Sequence, residues 1–191
     1  MIYLCIRRDK MIDIPEPNIE SNPEETFRKS VIEVLKEMLN HKKDNGSLVE
    51  YLILQDFGLD IAVFMEWPNN YFTVQFFELK AYTGSRPSGV GFGNSKGRGT
   101  QVKILQLENA QLYLANKFIR WLLVDGTKPK GSERFVIFDN IQAKNAIMGK
   151  LKEGKQNNFR IKDLMKNAIT WEKFINELNN LLDNKTTELK P

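Results

Sequence analysis

Three consecutive strand-like runs constrain the fold of this 191-residue chain more than any other feature. Residues 48–55, 59–67 and 71–81 are rich in β-branched and aromatic side chains, which favour extended structure. The connecting triplets, residues 56–58 and 68–70, are typical of tight turns, so consecutive runs should pair as antiparallel neighbours. The sequence therefore predicts a three-stranded meander.

A helix is predicted on each side of this meander. Residues 22–40 carry apolar side chains at helical spacing, so one face of this helix should be buried. Asn22 is predicted as its N-cap, Pro23 as its first helical residue and Glu25 as the partner in a capping box. The second helix is predicted over residues 100–124.

The rest of the chain adds one strand and more helix. A short apolar run at residues 134–138 predicts a fourth strand, and the polar remainder is predicted to be helical, with a final helix over residues 171–182. Residues 84–99 contain six glycines in a polar background. Such a segment is too long for a structural turn, so we interpret it as a binding loop.

Composition excludes several classes of protein. The 28 basic and 24 acidic residues give a net charge of +4, which is compatible with a polyanionic partner but not with a packaging protein. The single cysteine, Cys5, excludes an internal disulfide framework, and the first residues lack the apolar stretch of a signal peptide. No apolar run approaches the ~20 residues of a membrane-spanning helix. We therefore expect a cytoplasmic protein with no membrane partner.

Two charged residues end an otherwise apolar strand face. In the third run, Glu78 and Lys80 alternate with apolar neighbours and share a face with Phe76. Asp60 opens the second run, so a hairpin between the two runs would bring it close to Glu78 and Lys80. Burying charges costs free energy unless they have a partner, so this placement indicates a site.

The residue types at this site suit divalent-metal chemistry. The carboxylates of Asp60 and Glu78 repel each other unless a cation lies between them. With the peptide carbonyl of Leu79 they form an all-oxygen ligand set of the kind that Mg²⁺ prefers. Lys80 would orient or deprotonate a water molecule and stabilise the charge on a phosphate under attack. The alternative interpretation is a structural ion cluster in which Lys80 pairs with either carboxylate.

In this arrangement the chain resembles the restriction-endonuclease-like, or PD-(D/E)XK, nuclease superfamily. The resemblance spans about residues 23–138, with Asp60 on the second strand and the Glu78-Leu79-Lys80 tripeptide on the third. It differs at Leu59, where the family often has proline. The same acidic-x-Lys tripeptide also occurs at residues 153–155, 183–185 and 188–190. The resemblance therefore depends on the position of Glu78 at the end of an apolar strand, with Asp60 on the neighbouring strand.

The resemblance implies an α/β fold with a four-stranded mixed sheet flanked by helices. We expect a single nuclease domain over residues 1–191, with its core at about 22–140 and a helical extension at about 141–183. The implied reaction is Mg²⁺-dependent hydrolysis of DNA phosphodiester bonds, with Mn²⁺ as a substitute metal. An endonuclease of restriction or defence type is the first expectation, with RNA substrates and a homodimer left open.

Further residues are candidates for supporting roles. The family often adds an acid from the first helix, for which Glu33 is a candidate beside Glu25 and Glu37, and a glutamine such as Gln106 or Gln111. In the glycine-rich segment, three basic residues are predicted to contact the nucleic-acid backbone. These residues are Arg86, Lys96 and Arg98. The alternative function is a non-catalytic nucleic-acid-binding protein that retains the fold.

Overall fold

The structure is a computed structural model that describes residues 14–19, 22–56, 58–68, 70–84, 89–93, 100–152 and 155–183. Within these residues the chain forms six α-helices, one 3₁₀ turn and seven strands. The helices are α1 Pro23–Asp44, α2 Thr100–Gln106, α3 Asn109–Ala115, α4 Asn140–Asn145, α5 Ile161–Leu164 and α6 Trp171–Asp183, and the 3₁₀ turn is Met165–Asn167. The strands are β1 Glu50–Gln55, β2 Ile61–Trp67, β3 Tyr71–Tyr82, β4 Gly89–Phe92, β5 Ile119–Asp125, β6 Phe135–Phe138 and β7 Asn157–Arg160.

The predicted meander is confirmed as part of a five-stranded mixed sheet with the order β1-β2-β3-β5-β6. Strands β1, β2 and β3 are antiparallel neighbours, β3 pairs with β5 in parallel, and β5 pairs with β6 antiparallel. The expected number of four strands is therefore wrong. The parallel pairing of β3 with β5 requires a crossover connection, which β4, α2 and α3 supply.

The missing strand is β5, which lies inside the helix predicted over residues 100–124. This stretch contains two short helices, α2 and α3, followed by β5. Residues 121–124 are all apolar and buried, so the strand is apolar on both faces. A strand buried on both faces has no period of two, and its pattern can be mistaken for the end of a buried helix.

A second, two-stranded sheet pairs β4 with β7 antiparallel. Strand β4 lies within the glycine-rich segment predicted as a loop, and β7 interrupts the extension predicted to be helical. Its glycines gave β4 the appearance of a loop, because glycine is depleted in strands. This small sheet lies at the site described below, where Gly91 and Phe92 line a cleft.

The predicted buried face of helix α1 is confirmed, but the cap predicted for its N-terminus is wrong. The apolar residues at helical spacing are buried, and the helix continues to Asp44 rather than ending near residue 40. Pro23 is at the start of the helix as predicted. Asn22 has a left-handed backbone (φ 47°) and makes no capping hydrogen bond through its side chain. The side chain of Glu25 instead forms an ion pair with Arg28.

The central sheet separates two hydrophobic clusters. Helices α1 and α6 cover one face, and β4, β7, α2 and α4 contribute to the cluster on the other face. Along β5 the side chains alternate between them, with Leu122 and Val124 in the first cluster and Trp121 and Leu123 in the second. Within the described part of the chain, no helix combines the length and apolarity needed to cross a bilayer.

Candidate active site

The site lies where β2 separates from β3. Pairing between these strands ends at Ile61 and Phe77, whereas β3 continues to Tyr82 along β5. On the β2 side, the last residues of β3 therefore face the turn that precedes β2. The backbone N–H of Leu79 donates to Asp60 Oδ2 at 2.7 Å. Asp60 thus occupies the position beside β3 that a continuing strand would have filled.

The alternation predicted for β3 is present in the structure. Phe77 and Leu79 belong to the cluster beneath α1 and α6, while Glu78 and Lys80 point to the other face. Glu78 is 1% exposed and Lys80 is 5% exposed. The Lys80 ammonium lies 2.7 Å from Glu78 Oε1 and donates to the Leu79 carbonyl at 2.6 Å. Two buried charges of opposite sign are thus in direct contact.

The acid that α1 contributes is Glu24, which sequence reasoning missed. Glu24 Oε1 lies 3.5 Å from the Lys80 ammonium and lines the same cleft. The predicted auxiliary residue Glu33 is exposed and does not line the cleft, and neither does Glu37. Glu24 is in the first turn of α1, as Glu25 is, so no local signal in the sequence distinguished it from the other acids of this helix.

The glutamine beside the site is Gln101, another residue that sequence reasoning missed. Its Nε2 donates to Glu78 Oε1, and its Oε1 accepts the backbone N–H of Gly93 at 2.6 Å. Gln101 therefore connects the end of β4 to the buried carboxylate. Gln106 is exposed and does not line the cleft. Gln111 is used in the capping box of α3.

The pKa values of Glu78 and Lys80 are both raised above their ordinary values, for different reasons. Burial raises the pKa of Glu78 from 4.5 to about 7, against the opposing effect of Lys80. Burial alone would lower the pKa of Lys80, but Glu78, Glu24 and Asp60 together raise it above its ordinary value. Lys80 therefore remains an ammonium group at neutral pH, whereas Glu78 loses its proton only near neutrality.

These residues lie at the base of a cleft of about 610 Å³. One side is formed by the start of α1 and the turn before β2, and the other by β4, the start of α2 and Gln156. Four carboxylates line the cleft against a single ammonium. The residues that line the cleft include Glu24, Asp56, Asp60, Glu78, Lys80, Gly91, Gly93, Gln101 and Gln156.

The atoms that could hold a divalent cation are the carboxylates of Asp60 and Glu78 and the carbonyl oxygen of Leu79. Among the described residues, no three His, Cys, Asp or Glu side chains form a metal-binding group. Mg²⁺ is nevertheless often bound by one or two carboxylates together with water, so these donors fit it. Glu78 Oε1 and the Leu79 carbonyl already converge on a cation, the Lys80 ammonium.

The structure brings together Asp60, Glu78, Leu79 and Lys80 as the sequence predicted, and their catalytic and metal-binding roles stay predictions. The basic residues predicted to contact nucleic acid, Arg86, Lys96 and Arg98, lie outside the described residues. No protein-family model, curated protein or solved structure matched this chain.

Proposed function

We propose that this chain is a metal-dependent nuclease that hydrolyses DNA phosphodiester bonds. The observation that carries the proposal is the convergence of Asp60, Glu78 and Lys80 at the base of one cleft, where β2 separates from β3. This combination of two acids and a lysine on adjacent strands is the basis of the resemblance to the PD-(D/E)XK nucleases. An endonuclease of restriction or defence type is the form we propose first.

The charge balance of the cleft supports a cationic cofactor. Asp60, Glu78 and Glu24 surround one ammonium group, so the ionised cluster carries an excess of two negative charges. A phosphodiester would add a further negative charge and would be repelled by this cluster. A divalent cation such as Mg²⁺, with Mn²⁺ as a substitute, would offset this repulsion and supply an activated water molecule.

The chain's own residues have distinct tasks in this proposal. Asp60 and Glu78 would hold the cation through their carboxylates, and the Leu79 carbonyl would add a third oxygen. Gln101 fixes the orientation of the Glu78 carboxylate through its amide. Lys80 supplies a buried positive charge that would stabilise the charge developing on the phosphate oxygens. These tasks require side chains fixed in position, which their burial and mutual contacts provide.

The test is a cleavage assay on the purified chain with Mg²⁺, Mn²⁺ or a chelator. Circular and linear DNA and an RNA of the same sequence serve as substrates, because a circle separates internal cutting from end resection. We expect cleavage only with metal. Glu78→Gln and Lys80→Met should each lower the rate by roughly 100-fold or more while the protein stays folded.

Matched controls come from an ion pair outside the cleft. Lys43 and Glu50 form an exposed pair of the same residue types, so Glu50→Gln and Lys43→Met change the same charges away from the site. These variants should cut at the wild-type rate. Metal-independent cutting, or full activity of both cleft variants, would refute the proposal.

A second candidate is a nucleic-acid-binding protein that does not cut. It is favoured by the contacts of Lys80, whose ammonium already binds Glu78 Oε1 and the Leu79 carbonyl. In that case binding persists with chelator, and no product appears with either metal. Lys80→Met should then affect stability without affecting any reaction.

A further inference from the structure

The two walls of the cleft differ in charge. The acidic wall consists of Glu24, Asp56 and Asp60. The side chain of Asp56 is 75% exposed and that of Glu24 is 50% exposed, so both present negative charge to an approaching ligand. Arg28 pairs with Asp56 and Glu25 and offsets only part of this charge. A line of phosphates next to this wall would be repelled.

Among the described residues that line the cleft, those of the second wall carry no charged side chain. It consists of Gly91, Gly93, Gln101 and Gln156, and we name it the β4–β7 wall. A side chain at Gly91 would collide with the Gln156 amide, so that amide lies directly over the β4 backbone. The peptide and amide groups of these residues are neutral, so they do not repel phosphates as the acidic wall does.

Two lysines lie at the edge of the β4–β7 wall. Lys152 and Lys155 are exposed and precede β7, and Asn157 fixes both through hydrogen bonds from its Nδ2 to their carbonyl oxygens, at 2.9 and 3.1 Å. The carbonyl of Lys155 also lies close to Gly93 at the cleft. Among the ion pairs of the described residues, neither lysine takes part. Both side chains are exposed, so a polyanion can approach their charges.

The depth of the reacting groups limits what can reach them. Glu78 is 1% exposed, so a scissile phosphodiester must enter the cleft to approach it. A continuous duplex carries a second line of phosphates across a groove about 6 or 12 Å wide. With one strand on the β4–β7 wall, the second line of phosphates would face the acidic wall. A single strand has no such second line.

We propose that the cleft takes one DNA strand along the β4–β7 wall and disfavours a continuous duplex, an inference that rests on the proposed nuclease function. The substrate class is then single-stranded DNA or the unpaired arm of a forked or flapped duplex. Lys152 and Lys155 contact the phosphates of that strand outside the cleft. Asp56 acts as a discriminating residue, because it repels the second strand.

The first test compares cleavage of three labelled substrates that share one sequence: a single strand, a blunt duplex and a fork with one unpaired arm. We expect the single strand and the unpaired arm to be cut at least ~10-fold faster than the duplex, with no cuts in the paired region of the fork. Equal or faster cutting of the blunt duplex would overturn the inference and leave the proposed function intact.

Absence of cutting on every substrate would refute the proposed function instead, and binding then decides the inference. Fluorescence anisotropy with Ca²⁺ in place of Mg²⁺ measures the affinity for the single strand and for the duplex. We expect at least ~10-fold tighter binding of the single strand. Equal affinities, or tighter binding of the duplex, would overturn the strand preference.

The lysine contacts are tested with the double variant Lys152→Glu, Lys155→Glu. Single-strand binding should weaken by roughly 10-fold or more, and the dependence of log affinity on log salt should lose about 0.7 per lost phosphate contact. The control is Lys36→Glu, Lys173→Glu, two exposed lysines on α1 and α6 that do not line the cleft. Equal losses in both double variants would contradict a specific path along the β4–β7 wall.

The discriminating role is tested with Asp56→Asn. Asp56 has a left-handed backbone (φ 56°), a conformation that asparagine also adopts readily. The change removes a negative charge from the acidic wall and releases Arg28. Duplex affinity should rise several-fold while single-strand affinity changes less. An unchanged ratio of the two affinities would show that Asp56 does not discriminate.

Discussion

Two buried basic residues in this protein have opposite surroundings. Arg134 is 3% exposed, and its guanidinium donates to one carboxylate, Glu16, and to the carbonyls of Pro17 and Lys128. Its charge is matched by one opposite charge, and its contacts tie the segment before α1 to the turn before β6. Lys80 is 5% exposed but is surrounded by three carboxylates and faces a cleft.

The difference distinguishes a structural ion pair from a candidate site. At Arg134 the charges balance and the hydrogen bonds are satisfied, which is the arrangement that makes a buried pair tolerable. At Lys80 the negative charges are in excess, and burial raises the pKa of Glu78 to about 7. An excess of like charge beside a buried carboxylate costs stability, and groups with such shifted pKa values cluster at functional sites.

The largest expected effect is at Arg134. Arg134→Met removes the guanidinium and leaves the Glu16 carboxylate, whose side chain is 9% exposed, without its charged partner. The free energy of unfolding should fall by roughly 3–5 kcal/mol, as it does when one partner of a buried pair is removed. Urea denaturation followed by circular dichroism measures this change. If the free energy of unfolding fell only as little as it does for substitution of an exposed residue, the contacts of Arg134 would not be stabilising the fold.

A smaller effect of opposite sign is expected for Glu78→Gln. The pKa of Glu78 is about 7 in the folded state, above its ordinary 4.5, so between these pH values the folded state keeps a proton that the unfolded chain releases. Wild-type stability therefore falls as the pH rises through this window. Glutamine does not titrate, so the variant should gain about 1–3 kcal/mol relative to wild type above pH 7.

The measurement is urea denaturation of both proteins across this pH range. The two stability curves should converge below pH 4.5 and separate as the pH rises. Curves that stay parallel throughout would contradict the raised pKa and, with it, the contrast between the two clusters. The same variant should lose activity, so stability and function would change in opposite directions.

The smallest effect is expected at the exposed pair. Lys43 lies 2.8 Å from Glu50, and their side chains are 39% and 58% exposed. Water and salt screen such a pair. Lys43→Met should therefore change the midpoint of thermal unfolding by an amount too small to separate from experimental error. A loss of stability approaching that of Arg134→Met would mean that burial does not determine how much these two ion pairs contribute to stability.

The local pattern of β3 could be predicted from the sequence because strand geometry fixes it. Side chains two residues apart share a face, so Glu78 and Lys80 had to lie together. The short turn before β3 placed Asp60 near them, since an antiparallel hairpin aligns the start of one strand with the end of the other. These two rules predicted the central residues of the candidate site.

The remaining residues of the site depend on longer-range packing. Glu24 is brought to the site by the way α1 crosses the sheet, and Gln101 by the start of α2 after the glycine-rich segment. No local rule distinguishes Glu24 from Glu25 or Glu33, because all three are acids on one helix. Strand β5 was missed for a related reason: its apolar run is buried on both faces and has no period of two.

The sequence by itself determined the meander, the buried face of α1 and the alternation that places Glu78 beside Lys80, because these follow from backbone geometry over a few residues. Only the tertiary structure decided that β5 lies between β3 and β6, that β4 pairs with β7, and that Glu24 and Gln101 reach the site. Those contacts join residues far apart in the chain, and they are selected by the burial of whole helix and strand faces, which no short stretch of sequence encodes.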